Sequence, residues 1–144
     1  MPPDLLFQFA NPIALAAWIG LAFSPLAPRA LDTVAAVAVP TLLSVAYTAI
    51  VLAMWNSAEG GFDSLQSVAQ LFANRWLLLA GWLHYLAFDL LVGAWEVRTA
   101  RRENISHALV TPCLLATFLF GPAGYLLFQG LRLSLRTRSH PFGT

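Results

Sequence analysis

The sequence predicts an all-α fold: an integral membrane four-helix bundle with a short interfacial amphipathic helix between spans two and three. Of the 144 residues, 58% are hydrophobic and only 10% are charged, a composition typical of a chain that is solvated mainly by lipid. The apolar runs are long enough to cross a bilayer, and most charged residues fall between them. We therefore expect one transmembrane domain covering residues 1–144, with spans at about 5–23, 34–55, 76–95 and 108–131.

The first predicted span is interrupted by Asn11 and Pro12. Asn is a good helix N-cap and Pro suits the first helical position, so the helix either bends there or breaks and exposes Asn11 as a site residue. Asp4 stands where a secretory signal carries basic residues, so we expect this segment to be a retained span.

The second span contains Tyr47, three residues after Ser44 and on the same helical face. A tyrosine hydroxyl at membrane depth needs a hydrogen-bond partner, which indicates that this face turns toward the bundle. The connection that follows carries apolar residues near helical spacing. Asp63 and Gln66 form a capping-box pattern, so we predict a short helix at about 63–72 that lies at the membrane interface.

The third span, twenty residues from Trp76 to Trp95, carries His84 and Asp89 near its middle. An ionisable residue at that depth costs roughly 2.5–3.5 kcal/mol on insertion, which indicates a functional or structural role. Helical spacing predicts two neighbouring stripes on this span: Trp82, Tyr85, Asp89, Val92 and Glu96 on one, and His84, Phe88, Leu91 and Trp95 on the other. His84 and Asp89 lie about 140° apart around the helix, so they either flank one pocket or face different partners.

The fourth span begins near His107 and contains Gly121-Pro122-Ala123-Gly124, which predicts a bend and close helix packing. Four spans place both termini on one side of the membrane. The arginines then divide four against four between the two sides, so the positive-inside rule selects no orientation.

The composition also excludes several kinds of site. Cys113 is the only cysteine, so neither a disulfide nor a thiolate zinc site forms within one chain, and the sequence has no basic patch large enough for nucleic acid. His84, Asp89, Glu96 and His107 are metal-ligand types. Because Glu96 lies about 10 Å along the helix from Asp89, one ion does not reach all four, and we predict no metal site.

Three segments carry a resemblance to a known family: WLHYLAFDLLVG at 82–93, PCLLATFLFGPAGYLLF at 112–128, and FANP near the N-terminus. They resemble the membrane protein family of plant neoxanthin synthase, the abscisic-acid-deficient-like proteins. The resemblance implies a small four-helix plastid membrane protein that takes part in converting the epoxide of violaxanthin into the allene of neoxanthin. The Ala- and Arg-rich composition without lysine is more similar to a bacterial member, located in an inner or intracytoplasmic membrane.

Opening such an epoxide to an allenic alcohol needs an acid for the epoxide oxygen and a base for a proton on the adjacent polyene carbon, but no redox cofactor. His84 and Asp89 are the candidate catalytic pair in either assignment, with Tyr85 orienting them. The candidate ligand-binding residues are Asn11, Tyr47, Trp82, Phe88, Glu96, His107 and Phe118. We expect no required cofactor and a bound carotenoid or other polyene pigment.

Three roles for Asp89 and two functions for the chain remain open from the sequence. Asp89 either takes part in chemistry, or it hydrogen-bonds Tyr47, Asn11 or His107, or it contacts a bound pigment. The chain is accordingly a cofactor-independent carotenoid isomerase or a non-catalytic pigment-binding subunit. The second alternative implies a larger membrane assembly such as a photosynthetic reaction-centre and light-harvesting complex. A homo-oligomer is a further partner prediction that does not depend on this choice.

Overall fold

The computed structural model describes residues 2–138, with side chains up to residue 137. These residues form helices and no strand. The helices are α1 (Pro3–Ala22), α2 (Pro28–Ser57), α3 (Leu65–Ala73), α4 (Arg75–Arg102), α5 (His107–Phe120) and α6 (Pro122–Arg138). Of these, α1, α2 and α4 are long and apolar enough to cross a membrane. The all-α prediction and the first three predicted spans therefore correspond to observed helices.

Helix α4 is the centre of the fold. Its N-terminus is capped by Asn74, whose side-chain oxygen accepts a hydrogen bond from the backbone N–H of Trp76 at 2.9 Å. Its 28 residues contact every other helix, and Leu83, Leu90 and Val97 are almost completely buried along it. The candidate site residues of the third predicted span are therefore held on a helix that is packed on several sides.

Helix α1 packs closely against α4 because its buried face is built from small residues. Ala10, Ala14 and Ala17 follow one another at helical spacing and are almost completely buried. The ring of Trp18, the next residue, lies where a side chain on Gly93 would be, 2.5 Å from the ideal Cβ position. Pro12 lies within α1, which continues through it as one helix without an interruption.

Helix α3 is the short helix that the sequence predicts between spans two and three. Its N-cap is Ser64, whose hydroxyl accepts a hydrogen bond from the backbone N–H of Ser67 at 3.1 Å, so the predicted capping box at Asp63 and Gln66 does not form. Leu71 is buried against the rest of the fold, while Leu65 is 85% exposed.

The predicted fourth span is wrong, because residues 107–138 form a helical hairpin. Gly121 has φ +44°, a left-handed conformation that favours glycine, and it separates α5 from α6. A continuous helix would place Arg132 about 37 Å from His107. Instead the Arg132 side chain bonds Glu103, which precedes α5, with Nε at 2.9 Å from Oε2. The two helices therefore run antiparallel, and the predicted four-helix bundle becomes three long helices plus this hairpin.

The hairpin also changes which ends of the helices lie together. The end of α4, the start of α5 and the end of α6 meet at one end of the molecule, where His107 Nε2 lies 2.8 Å from the carbonyl oxygen of Ala22. The N-terminus lies at the other end, where Asp4 pairs with Arg75. The start of α1 and the end of α6 therefore lie at opposite ends of the molecule, which does not fit the prediction that both chain ends share a side or the four-against-four division of the arginines.

Candidate functional site

Asp89 lies halfway along α4, beside the tip of the hairpin. Its carboxyl group packs against Gly121, where an ideal Cβ would lie 2.7 Å from Oδ1. Oδ2 is buried and accepts no hydrogen bond within the part of the chain that the structure describes. No residue other than glycine fits this turn without displacing the carboxyl group. The break in the helix thus places an acid with an unused oxygen at the centre of the fold.

Tyr85 lies one turn before Asp89, and the two side chains are close enough to interact. The Tyr85 hydroxyl also makes long hydrogen bonds to the carbonyl oxygens of Phe118 at 3.3 Å and Leu119 at 3.4 Å. These carbonyls belong to the last turn of α5, where a helix leaves its C=O groups without partners in the helix. Tyr85 therefore connects the hairpin tip to Asp89.

Glu96 lies two turns beyond Asp89 on the same face of α4. It is completely buried, and Thr117 of α5 donates a hydrogen bond from Oγ1 to its Oε1 at 2.9 Å. Oε2 has no partner among the described residues. Gly124 of α6 packs directly behind Thr117, since an ideal Cβ there would lie 2.1 Å from Thr117 Oγ1. Glu96 is thus enclosed between α4 and the hairpin.

A cavity of about 600 Å³ opens between the start of α1 and the first half of α4. Aromatic side chains form its walls, and the residues lining it include Phe7, Phe72, Trp82 and Tyr85, with the Asp4–Arg75 ion pair at its rim. The Trp82 indole Nε1–H donates to the side-chain oxygen of Asn11 at 2.9 Å, which fixes the ring in the wall. Tyr85 therefore faces an apolar space in which an aromatic or polyene group would fit.

His84 lies on a different face of α4 from Asp89. Its ring stacks on Phe88 at 4.5 Å between centroids and meets Tyr47 edge-on at 5.7 Å. His84 and Tyr47 line a second cavity of about 320 Å³ between α2, α3 and α4. The structure thus brings Tyr85 to Asp89, and it does not bring His84 to Asp89.

Comparison with known proteins decides the family. The model of the family described as ABA DEFICIENT 4-like matches residues 5–128, well over half of the chain. This chain belongs to the ABA DEFICIENT 4-like family. No curated protein and no solved structure gives a match. The resemblance to neoxanthin synthase-like proteins that residues 82–93 and 112–128 carry is therefore confirmed, and the chain is a carotenoid-related, neoxanthin synthase-like membrane protein.

The remaining candidate residues of this ABA DEFICIENT 4-like protein lie away from Asp89. His107 binds the carbonyl oxygen of Ala22 and joins α5 to α1. The Phe118 ring packs edge-on against Trp18, 5.6 Å between centroids, so only its backbone carbonyl reaches Tyr85. Within the described residues, no three His, Cys, Asp or Glu side chains are grouped to hold a metal ion.

Three residues that shape the site were not among the predicted site residues of this family member. Gly121 supplies the turn, Thr117 binds Glu96, and Gly124 allows the close contact behind Thr117. The GPAG segment did indicate close packing, which the contact of Gly124 with Thr117 confirms. Its backbone reversal was missed, because Gly-Pro is equally compatible with a bent helix.

Proposed function

We propose that this ABA DEFICIENT 4-like protein isomerises an epoxide end group of a xanthophyll, with Tyr85 and Asp89 carrying the protons. One observation supports this most directly: Tyr85 lines the 600 Å³ aromatic cavity and lies one helical turn from Asp89, whose Oδ2 has no hydrogen-bond partner among the described residues. A hydroxyl donor and a carboxylate acceptor one helical turn apart are the two groups that the reaction requires. The resemblance to plant neoxanthin synthase supplies the substrate class.

The proton transfers balance without a further reactant. The Tyr85 hydroxyl donates its proton to the epoxide oxygen as the ring C–O bond breaks, which leaves a hydroxyl group on the product. The Asp89 carboxylate removes the proton from the adjacent polyene carbon, and the electron pair of that C–H bond forms the second double bond of the allene. Asp89 then returns its proton to the Tyr85 oxygen. The product is an isomer of the substrate, so no oxidant or reductant is consumed.

The cavity suits an end group of this kind. Its walls, including Phe7 and Trp82, offer aromatic faces to the apolar ring, while the polar Asp4–Arg75 pair lies at its rim. A long polyene is itself lipid-soluble and lies against apolar helix surfaces at low cost. Large apolar residues are exposed on several helices, among them Phe7 at 43% and Trp82 at 38% beside the cavity. The sequence left the base open between His84 and Asp89. Because His84 lies on a different face of α4, with Phe88 and Tyr47, we assign the base to Asp89.

A second candidate function, pigment binding without chemistry, is favoured by one specific observation. Asp89 is not among the residues that line either aromatic cavity, and its carboxyl group packs against Gly121. A pigment seated in the cavities would then meet Tyr85 or His84 without contacting Asp89. In this alternative the chain is an accessory subunit of a larger membrane assembly, such as a photosynthetic complex.

The deciding experiment uses cells that accumulate violaxanthin and express the full chain. Conversion to the allenic isomer is measured by chromatography and absorbance, because substrate and product have equal mass. We expect Tyr85→Phe and Asp89→Asn each to lower conversion by about 100-fold or more. His84→Gln is the matched control on the same helix, and it should retain conversion.

Two results would overturn parts of this proposal. Full conversion by both Asp89→Asn and Tyr85→Phe would show that neither residue carries the protons. Recovery of the wild-type protein with unaltered epoxide pigment, at equal yield in Asp89→Asn, would instead support the accessory pigment-binding subunit.

A further inference from the structure

The charges are distributed very unequally between the two ends of the molecule. We define the arginine-rich end as the end that holds Arg29, Arg98, Arg101, Arg102, Arg132, Arg136 and Arg138. It carries two acids, Asp32 and Glu103. The opposite end holds one arginine, Arg75, with three acids, Asp4, Glu59 and Asp63. Seven of the eight arginines therefore lie at one end.

The hairpin creates this difference. Because α6 returns along α5, the three arginines of α6 lie beside the end of α4, where Arg132 and Arg136 both bond Glu103. Asp32 forms an ion pair with Arg98, with Oδ2 at 2.9 Å from Nε. Within the described residues Arg29 and Arg101 form no ion pair with an acid, so their charges are available to a partner outside the chain.

The depth of the hairpin tip fits a segment that enters the membrane and turns back. Gly121 touches Asp89, which lies about 20 Å along α4 from Arg102. With Arg102 at the membrane surface, the hairpin tip would therefore lie within a hydrocarbon core about 30 Å thick. A broken helix is tolerated at such depth only where protein groups contact its backbone, and the Tyr85 hydroxyl shares its one proton between the carbonyl oxygens of Phe118 and Leu119.

We propose that the arginine-rich end lies on the cytoplasmic side, against anionic phospholipid head groups, and that α5 and α6 form a re-entrant hairpin. The chain then crosses the membrane three times, with α1, α2 and α4, and its two ends lie on opposite sides. Short cytoplasmic segments are enriched in arginine and lysine, and the anionic cytoplasmic leaflet attracts basic residues next to a span.

The orientation also determines from which leaflet of the membrane a ligand would enter the 600 Å³ cavity. Its rim is formed by Pro3, Asp4 and Arg75, at the end opposite the arginine-rich one. A xanthophyll would therefore reach Tyr85 from the non-cytoplasmic leaflet. This consequence rests on the proposed function, whereas the orientation itself does not.

Cysteine labelling in intact cells and in opened membranes tests the proposal. Cys113 is buried, and it is replaced by Ser to give a cysteine-free background. Single cysteines are then introduced as Ala30→Cys, Ser57→Cys and Thr137→Cys, all at exposed positions. Residue 30 lies at the arginine-rich end and residue 57 at the opposite end with or without the hairpin. Only residue 137 changes ends, because a fourth continuous span would carry it to the side of residue 57.

We expect a membrane-impermeant maleimide to label Ser57→Cys in intact cells, and Ala30→Cys and Thr137→Cys only after the membrane is opened. Labelling of both Thr137→Cys and Ser57→Cys in intact cells would overturn the hairpin. Labelling of Ala30→Cys in intact cells would overturn the orientation. Addition of anionic rather than zwitterionic vesicles to the purified protein should protect Ala30→Cys, which leaves all the arginines in place, from labelling, and equal labelling with both vesicles would overturn the lipid contact. All three results are independent of whether the protein isomerises a carotenoid.

Discussion

Thr117 Oγ1 donates a hydrogen bond to Glu96 Oε1 at 2.9 Å, between two residues that are both completely buried. This contact joins the hairpin to the central helix at a point that neither lipid nor water reaches. Glu96 Oε2 has no partner among the described residues, so Thr117 is the one side chain shown to bond this carboxyl group. The hairpin is therefore attached to α4 through a contact whose loss would leave a buried acid without a partner.

Removing the Thr117 hydroxyl should loosen the hairpin. We expect Thr117→Val to lower the free energy of unfolding by about 1–3 kcal/mol, because a buried acceptor then loses its donor. Apparent melting temperature in mild detergent measures the effect. Thr111→Val is the matched control on the same helix, since that exposed hydroxyl bonds only the carbonyl of His107 one turn earlier. Equal melting temperatures for the two variants would show that the Glu96 contact contributes nothing.

Gly124 should tolerate no side chain. An ideal Cβ at this position lies 2.1 Å from the backbone N of Thr117, whereas nothing lies within 4 Å of an ideal Cβ on Gly130. Because α5 and α6 have to separate to admit a methyl group, we expect Gly124→Ala to cost about 1–3 kcal/mol. Gly130→Ala lies on the same helix and should be neutral or slightly stabilising. Melting temperatures in detergent compare them, and a Gly124→Ala protein as stable as Gly130→Ala would contradict the close contact.

Helical periodicity on the central helix predicted much of this site. The spacing of Trp82, Tyr85, Asp89 and Glu96 placed them on one stripe, and the structure shows that this stripe faces α1 and the hairpin. The same periodicity separated His84 from Asp89 by about 140°, and His84 lies with Phe88 and Tyr47 on another face. Local geometry on a single helix is therefore readable from sequence.

Hydropathy could not predict the hairpin. Residues 108–131 form one apolar run with a Gly-Pro pair inside it, and the same pattern occurs in a bent spanning helix. The choice between a bend and a reversal depends on contacts between distant residues. Two contacts hold the reversal: Arg132 with Glu103, and Gly124 with Thr117. The first pair is 29 residues apart in the sequence, so no local sequence pattern indicates it.

The attachment of α6 to the end of α4 should depend on pH. Hydrogen bonds from Arg132, and then Arg136, lower the pKa of Glu103 from 4.5 to about 2. Because the pKa is lower in the folded state, the ionised carboxyl group stabilises the fold fully above about 4.5, and this stabilisation is lost as the pH falls toward 2.

Glu103→Gln tests this dependence. We expect it to lower the melting temperature at pH 7 and to match the wild type more closely as the pH falls below 4.5. Glu59→Gln, in an exposed connection and without an ion pair among the described residues, is the control. A difference between Glu103→Gln and the wild type that stays constant from pH 7 to pH 3 would argue against the ion pair.

Phe72 separates the two aromatic cavities, and its removal should change which end groups the protein accepts. The ring lines both the 600 Å³ and the 320 Å³ space, and it packs on Gly81, whose ideal Cβ would lie 3.0 Å from Phe72 Cε1. Phe72→Ala would join the cavities. We therefore expect the preference for the smaller of two competing xanthophyll end groups to fall by about tenfold, as for other apolar pockets that lose bulk.

Leu65→Ala is the control for this prediction, because Leu65 lies on the same short helix and is 85% exposed. Membranes that contain both pigments give the ratio directly, as the relative amounts of each pigment bound or converted. Since this ratio compares two ligands on one variant, a general loss of folded protein does not change it. A ratio in Phe72→Ala equal to that in Leu65→Ala would mean that the ring does not limit the space, and that the end group lies wholly on the Tyr85 side of Phe72.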